Sequence, residues 1–594
     1  MHASQSSPET PAAETSQQPT ITRRAVLGYS VTSALLLALA FPPFNLSLLG
    51  WIAPIGWLLL VRTPLLPQRS YRIIYLSGFM FWLTVLFGVG NAHWATRLFG
   101  WPVLCGYLAC YTPLFVAISR TIVHRANVPL PIVAPIVWTA LEYVRAYFAT
   151  GFSMAMLGHT QVELIGFIQI SEIVGAYGVS FVVMVSASCG AMLVAEKNWH
   201  TTASSQTSRK VRLTWLLVGL AVVTAANFYG VYLYGNTNIA EKLEREDSAE
   251  GGKVARIGLV QGSIDTVFGD PTQSSRTFEQ YSAITDQLVK DHPNLDLIIW
   301  PETTMGDHMV FELGSDYAPP ADLPIDANEH RKRITDRSSG FQRFLKDLAV
   351  NRWQAPLLLG TSTLRFGNQR LDHFNTAIYV GPEGTIETKY DKMHPVMFGE
   401  YVPLGDYFPF VYDWLPIGGG LTPGQGPIAV DVKGVSLVPC ICFENTVPQL
   451  VAAQVRELHE QGQKVDALVT LTNDGWFWGS SILDLHLTCA RFRAVENRRP
   501  MLVAANTGIT AQIDSTGQLV QFAPVRQTSF VVTDMFPTKR SLSLYTRYGD
   551  WFAAACLVLT IIGASIGVAI RYTRRRPPLQ GGNQSQSKGD VSDV

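Results

Sequence analysis

Eight stretches of the chain, near residues 25–41, 46–62, 73–92, 101–120, 130–147, 166–194, 213–234 and 549–571, are each apolar over close to the length that crosses a bilayer as a helix, about 20 residues. In hydrocarbon a backbone satisfies its N–H and C=O groups only as a helix or a closed barrel. Runs this long and this apolar therefore predict membrane helices: seven in succession, a polar insert, and an eighth. The first two are short and broken by Pro42, Pro43 and Pro54, which suits tilted or half-buried helices.

Basic residues set the orientation. Arg23 and Arg24 precede the first span, Arg62, Arg69 and Arg72 follow the second, and Arg120 and Arg125 follow the fourth. Residues 197–212 follow the sixth and 571–576 the last, so every cluster falls on one side, and the alternate loops are nearly free of Lys and Arg. The positive-inside rule then places both termini in the cytoplasm and the insert outside. The expected organisation is a polar, disordered tail over 1–22, helices over 23–235, an extracytoplasmic domain over 236–547, a last helix over 548–572 and a second disordered tail over 573–594. Lys+Arg and Asp+Glu are equal at 46 each, and no basic run is interleaved with aromatics, so nucleic acid is not an expected partner.

The insert opens with a charged linker, 241–253, and then changes to short β-branched and apolar runs punctuated by Gly and Pro. Strands are predicted over 254–260, 295–300, 356–361, 376–380, 385–390, 435–443, 467–472, 501–505 and 530–533. Helices are predicted over 276–290, 340–350, 447–461 and 483–496, from apolar spacing of three and four. This is an α/β domain. A stretch over 316–336, rich in Pro, Asp and basic residues, reads as a surface arm. The seven cysteines are scattered. Cys440 and Cys442 form a C-x-C with no second pair at a zinc spacing, so neither a disulfide framework nor a metal site is expected, and no cofactor is predicted.

Three residues stand at the ends of strand-like runs. Glu302 follows Leu297–Pro301, Lys392 comes just after Thr385–Tyr390, and Cys442 closes Leu437–Ile441. Taken singly, each has a bland explanation: a turn-capping carboxylate, a solvated lysine and a buried packing thiol. Together they supply what cysteine chemistry needs. A thiol reacts as thiolate and so requires a base or a cation, and an acyl-transfer intermediate requires a positive group for its oxyanion. Within the apolar half, Glu142, Arg145 and Glu172 are the charges to explain, since ionisable groups in hydrocarbon are costly and tend to be functional or paired. Glu142 and Arg145, three apart, could simply pair with each other.

The insert resembles the nitrilase, or carbon–nitrogen hydrolase, superfamily over residues 254–535. The resemblance rests on Glu302, Lys392, Glu400 and Cys442, on Thr472-Asn473-Asp474-Gly475-Trp476-Phe477, on the helix Ala490–Glu496, and on Arg499-Pro500 and Asn506-Thr507-Gly508-Ile509-Thr510. It implies an α-β-β-α sandwich with a Glu-Lys-Cys triad and with Glu400 helping to hold the site. Glu444 lies near enough to Cys442 to shape the pocket. The apolar half is similar to the apolipoprotein N-acyltransferase family in Glu142-Tyr143-Val144-Arg145, Thr150-Gly151-Phe152, Gln169-Ile170-Ser171-Glu172 and Gly175–Phe181. Ser153-Met154 stands where that family commonly has Pro-Trp, and the Lys-Trp expected after Gln261-Gly262 is replaced, with Phe268 the nearest large residue.

The second resemblance implies a bacterial inner-membrane enzyme with its catalytic domain in the periplasm, working as a monomer. Its partners would be a phospholipid acyl donor, the bilayer, and a lipoprotein whose N-terminal diacylglyceryl-cysteine is the acceptor. Glu302 would take the proton of Cys442, Lys392 would stabilise the oxyanion, and a thioester would carry the acyl group to the acceptor amine. Two alternatives are a membrane-anchored periplasmic amidase or nitrilase acting on a small amide, and a non-catalytic scaffold. The intact triad argues against the scaffold, and the apolar-half motifs argue against the amidase.

Overall fold

A computed structural model describes residues 21–194, 208–267, 269–319, 325–397, 399–402, 407 and 420–575. The two expected tails, the start of the 197–212 basic cluster and Phe268 lie outside the described residues, apart from the first residues of the second tail, which continue the last helix.

The apolar half is helical throughout: α1 Arg23–Ala40, α2 Ile55–Arg62, α3 Ser70–Val85, α4 Trp101–Ala109, α5 Tyr111–Arg125, α6 Leu130–Tyr147, α7 Ile165–Ile168, α8 Ser171–Leu193 and α9 Arg209–Glu250. After the insert come α14 Leu544–Tyr548 and α15 Trp551–Arg575. Among the described residues, five helical stretches are long and apolar enough to cross a membrane: Arg23–Ala40, Thr96–Arg125, Ser171–Leu193, Arg209–Glu250 and Trp551–Thr573. The stretch Ser47–Arg62 is apolar but short, as Pro54 predicts.

The charged linker is a correction. Residues 241–250 do not break from the preceding span but continue α9 as one helix of 42 residues. The extension is held from the side. Glu241 takes Ser515 and Arg540, and Lys539 reaches Asp247 at 2.5 Å. Tertiary partners thus keep helical a stretch that composition alone marks as a linker.

The insert comprises β1 Ala255–Gln261, α10 Gln273–Asp291, β2 Leu297–Ile299, β3 Val310–Ala318, α11 Ala327–Lys346, β4 Leu357–Asn368, β5 Leu371–Val380 and β6 Ile386–Asp391. It continues with β7 Val430–Val432, β8 Val435–Ile441, α12 Pro448–Glu460, β9 Ala467–Asn473, α13 Ile482–Asn497, β10 Met501–Asn506, β11 Ala511–Ile513, β12 Leu519–Phe522 and β13 Ser529–Met535. The expected arm is therefore largely regular. Its first part is the end of β3, which pairs with β4, and its second is the start of α11, capped by the Asp326 side chain.

One sheet runs β13-β1-β2-β4-β5-β6, with β3 beside β4, and the other runs β12-β11-β10-β9-β8-β7. The central strands β1, β2 and β4, and likewise β8, β9 and β10, are parallel. Parallel strands covered on both faces read as continuous apolar runs, which is the pattern of Leu297-Ile298-Ile299 and Ala467–Leu471. Leu259, Ile299, Leu358, Leu437, Leu471 and Leu502 meet between the sheets. Tyr281, Phe341 and Leu345 pack helices α10 and α11 on one outer face, and Val451, Val455 and Ala490 pack α12 and α13 on the other. The result is the α-β-β-α sandwich.

The sandwich sits on the helices through specific polar contacts. Helix α8 breaks at Gly175, whose φ of 67° and ψ of −178° leave the helical region, and a Cβ there would lie 2.6 Å from the Tyr545 ring. Glu496 of α13 accepts the freed Ala176 N–H at 2.9 Å, while Arg493 pairs with Glu496 at 2.7 Å. Burial pushes the Glu496 carboxyl up to about 7. Arg498 reaches Glu172 at 3.2 Å, Arg491 reaches Glu163 at 2.5 Å, and Gln169 donates to the Thr516 carbonyl.

Candidate active site

The C-terminal edges of the central strands converge, and side chains just past those edges form one cluster. Trp300 still bonds to Leu358 across the sheet, and Pro301, without an N–H, ends the ladder, so Glu302 turns inward. Gly360 of β4 makes room. A Cβ there would lie 2.2 Å from the Pro301 carbonyl oxygen and 2.6 Å from the Glu302 Cα.

Lys392, one residue past β6, is 1% exposed. Its Nζ lies 2.7 Å from Glu400 Oε1 and 3.4 Å from Glu302 Oε1. Asn375 of β5 donates Nδ2 to both carboxylates, at 2.7 Å to Glu302 and 3.3 Å to Glu400. The Asn473 main-chain N–H donates to Glu302 Oε2 at 2.9 Å. Glu400 is fixed by its own turn, its Oε2 accepting the Val396 N–H at 2.7 Å. Burial alone would strip the Lys392 proton, but Glu400, then Glu302 and Cys442, outweigh it and hold the amine above its ordinary value. The ammonium is thus locked in its charged form.

Cys442 follows β8 with φ of 52°, the left-handed region that a non-glycine residue occupies at a cost of about 1–3 kcal/mol. This strained turn lifts the side chain off the strand line. The residue is half-buried, and the surrounding protein pushes its thiol well above the ordinary value. Glu302 adds to that rise and Lys392 opposes it. The resting thiol is protonated, so it can attack only as a neighbouring group removes its proton.

Glu444 braces the backbone around this cluster. It is wholly buried, and its two oxygens accept the Tyr390 hydroxyl at 2.9 Å and the N–H groups of Met393, His394 and Ile441 at 2.7, 3.0 and 2.6 Å. It therefore ties the turn after β6 to the end of β8, the two segments that carry Lys392 and Cys442. Burial pushes its carboxyl up to about 7.

Sequence reasoning singled out no role for Asn375 or His486. Asn375 had a weak signal, a polar residue beside the apolar run of β5. His486 had none, since it is one of several polar residues along α13, a helix buried on nearly every side. Beneath Cys442, His486 Nε2 lies 3.0 Å from the Cys442 carbonyl oxygen and Nδ1 lies 3.0 Å from Asp474 Oδ1. Burial opposes a charge on the ring, but Asp474 prevails and raises its proton affinity.

The charges within the apolar helices resolve differently from simple pairing. Among the described residues no ion pair joins Glu142 and Arg145. Glu142 Oε1 accepts the Leu157 N–H at 2.8 Å and Trp138 Nε1 at 2.9 Å, while the Arg145 guanidinium lies over the Trp82 ring at 5.1 Å. Both border a cavity lined also by Trp57, Phe81 and Tyr111. Glu172 accepts from Tyr229 at 2.6 Å in addition to Arg498.

Known proteins share this combination. Residues 33–189 match the family described as apolipoprotein N-acyltransferase N-terminal domain, and residues 256–535 match carbon–nitrogen hydrolase. The apolipoprotein N-acyltransferase of Rhodopirellula baltica is 31% identical over 560 residues, covering 89% of this chain and 95% of the relative. That of Geobacter metallireducens is 31% identical over 554 residues, covering 92% and 95%. Apolipoprotein N-acyltransferase 1 of Treponema denticola is 26% identical, covering 92% and 97%. Agreement at this level across both the helical half and the sandwich, end to end, means that the chain belongs to the apolipoprotein N-acyltransferase family.

Proposed function

We propose that this chain transfers a fatty acyl group from a membrane phospholipid, through a thioester on Cys442, to the α-amino group of the N-terminal diacylglyceryl-cysteine of lipoproteins. The observation that carries this reading is a cysteine in a strained turn beside a buried Glu302–Lys392–Glu400 cluster, docked on a half built of apolar helices.

Glu302 accepts the Cys442 proton as sulfur attacks the ester carbonyl, and the C–S bond forms. Lys392 faces the oxygen that becomes negative. The tetrahedral intermediate collapses, the ester C–O bond breaks, and the proton on Glu302 passes to the departing lysophospholipid alkoxide. The acceptor amine then attacks the thioester and gives a proton to Glu302, the C–N bond forms and the C–S bond breaks. The thiolate recovers the proton from Glu302, so the enzyme returns to its starting state. Asn375 and the Asn473 N–H hold the Glu302 carboxylate in place between steps, and Glu400 keeps Lys392 charged. Placing the site against the membrane keeps water off the thioester.

In this reading the eight apolar segments are transmembrane helices of a bacterial inner membrane. Residues 1–22 and 573–594 are cytoplasmic tails, and 236–547 is the periplasmic catalytic domain. The one-sided clusters of Arg and Lys support that orientation. We take a monomer as the working unit.

Intact-mass measurement tests the proposal. Wild type incubated with phospholipid in mixed micelles is expected to gain a hydroxylamine-labile acyl mass, discharged by a diacylglyceryl-cysteine peptide, and Cys442→Ala to gain none. Absence of an adduct on wild type overturns the phospholipid donor, and ammonia release from a small amide at the same site would favour the amidase alternative.

A further inference from the structure

The proposed chemistry makes no use of one buried titratable pair, His486 and Asp474, although it touches the Cys442 backbone. His486 sits on α13 and is 5% exposed; Asp474 follows β9 and is 2% exposed. The ring nitrogens face two acceptors. A main-chain carbonyl only accepts, so Nε2, 3.0 Å from the Cys442 oxygen, carries a hydrogen. Nδ1 faces Asp474 Oδ1 at 3.0 Å, and that oxygen also accepts the Thr472 hydroxyl at 3.0 Å. A proton shared between an imidazole and a carboxylate belongs by intrinsic affinity to the imidazole, about 6.5 against 3.9. Both ring nitrogens are then protonated.

The other titratable group acting on the ring is Glu302, from the turn after β2, and the Cys442 thiol itself feels Asp474, which raises it, beside Glu302 and Lys392. Asn445, from the turn after Cys442, donates to the His486 main-chain carbonyl at 3.2 Å. Lys392 approaches the reacting thiol as one cation, and the ring contacts the same residue's backbone as a second. The left-handed Cys442 conformation needs a restraint on its peptide, and the bond from Nε2 to its carbonyl supplies one.

We propose that His486 is held as an imidazolium by Asp474 and the Cys442 carbonyl, and that it is a positioning residue. It fixes the strained Cys442 backbone and provides a second positive charge against which the thiolate forms. This inference rests on Cys442 being the nucleophile.

The test uses the full chain in detergent micelles. Iodoacetamide labelling of Cys442, read on its own peptide by mass spectrometry from pH 5.5 to 10, reports how readily the thiolate forms. His486→Gln keeps a neutral donor near Nε2, and His486→Phe keeps none. His486→Gln leaves Asp474 without its cation and is expected to fold but melt below wild type, and to label more slowly throughout this range, the rate at pH 7 falling about tenfold for every pH unit by which the thiolate becomes harder to form. His486→Phe is expected to label more slowly still. Because the phenylalanine variant can fail to fold, ¹⁵N-histidine spectra of wild type provide a second reading, with both His486 nitrogens expected to be protonated through pH 8. A neutral tautomer at pH 7, or a His486→Gln profile superimposed on wild type, overturns the inference. Labelling needs no phospholipid, so a missing acyl adduct with a shifted profile would reject the acyl-donor reading and leave the His486 assignment standing.

Discussion

Glu302→Gln keeps the size of the side chain and removes its charge, and the surroundings of Glu302 allow the consequence to be worked out. Its Oε1 receives Asn375 Nδ2 at 2.7 Å and Lys392 Nζ at 3.4 Å, and its Oε2 receives the Asn473 N–H at 2.9 Å. All three are donors. A glutamine has one oxygen, so its amide nitrogen faces a donor in either orientation, and a buried donor left unpaired costs about 1–3 kcal/mol. At 3.4 Å and an effective dielectric of about 20, the lost attraction between Lys392 and Glu302 is about 5 kcal/mol. Glu400 at 2.7 Å retains about 6 kcal/mol, so the ammonium stays paired. Neutralising Glu302 also relieves the cost of burying its charge, which offsets much of that lost attraction, so the net loss is close to the unpaired donor's and the variant should fold, melting about 2–12 °C lower at roughly 2–4 °C per kcal/mol. Acylation should fall by about 10²–10⁴, the contribution of a general base. The assay is the time course of acyl-mass gain with phospholipid, set beside a melting curve in the same detergent. A glutamine variant that acylates at the wild-type rate would refute the assignment of Glu302 as base.

Three further outcomes are expected. Glu444→Gln replaces one of two oxygens that accept only donors and should cost about 1–3 kcal/mol; acylation should slow without moving the pH midpoint of Cys442 labelling, and a moved midpoint would place Glu444 in the chemistry after all. Gly360→Ala would press a methyl against Pro301 and Glu302; the overpacking should cost about 1–3 kcal/mol and, by displacing Glu302, slow acylation by about 10²-fold, so a variant with both wild-type melting and wild-type rate contradicts the close approach. Glu496 rises from 4.5 to about 7 in the folded state, so its contribution to stability is full below pH 4.5 and is lost as pH rises through about 7, at about 1.4 kcal/mol per pH unit. Glu496→Gln should flatten the fall in melting temperature across that window, and parallel curves for the two proteins would show that Glu496 does not titrate there.

Much of this architecture is legible in local pattern because burial leaves a local mark. A strand covered on both faces must be apolar at every position, which is why β2, β8, β9 and β10 can be read within one or two residues of their ends. The short strands β7, β11 and β12 carry no such mark. Helix α11 begins 13 residues before the predicted start at Gly340, because its first three turns are polar and exposed and are held by an N-cap and by packing along β3. The charged end of α9 is helical for a related reason: its partners Ser515, Lys539 and Arg540 lie nearly 300 residues away.

What the sequence determined by itself was the partition into apolar helices and an α/β insert, and the candidate trio Glu302, Lys392 and Cys442, because hydrophobic length, strand ends and residue chemistry are local properties. Tertiary structure alone decided how those residues are held. It placed Asn375 and Glu400 around Lys392, used Glu444 to tie together the turns that carry Lys392 and Cys442, and set the His486–Asp474 pair beneath Cys442. It also used Glu496 to satisfy an N–H exposed where α8 breaks at Gly175. Each of these is a bond between distant segments, whose partner the folded arrangement of the two sheets and the helices supplies.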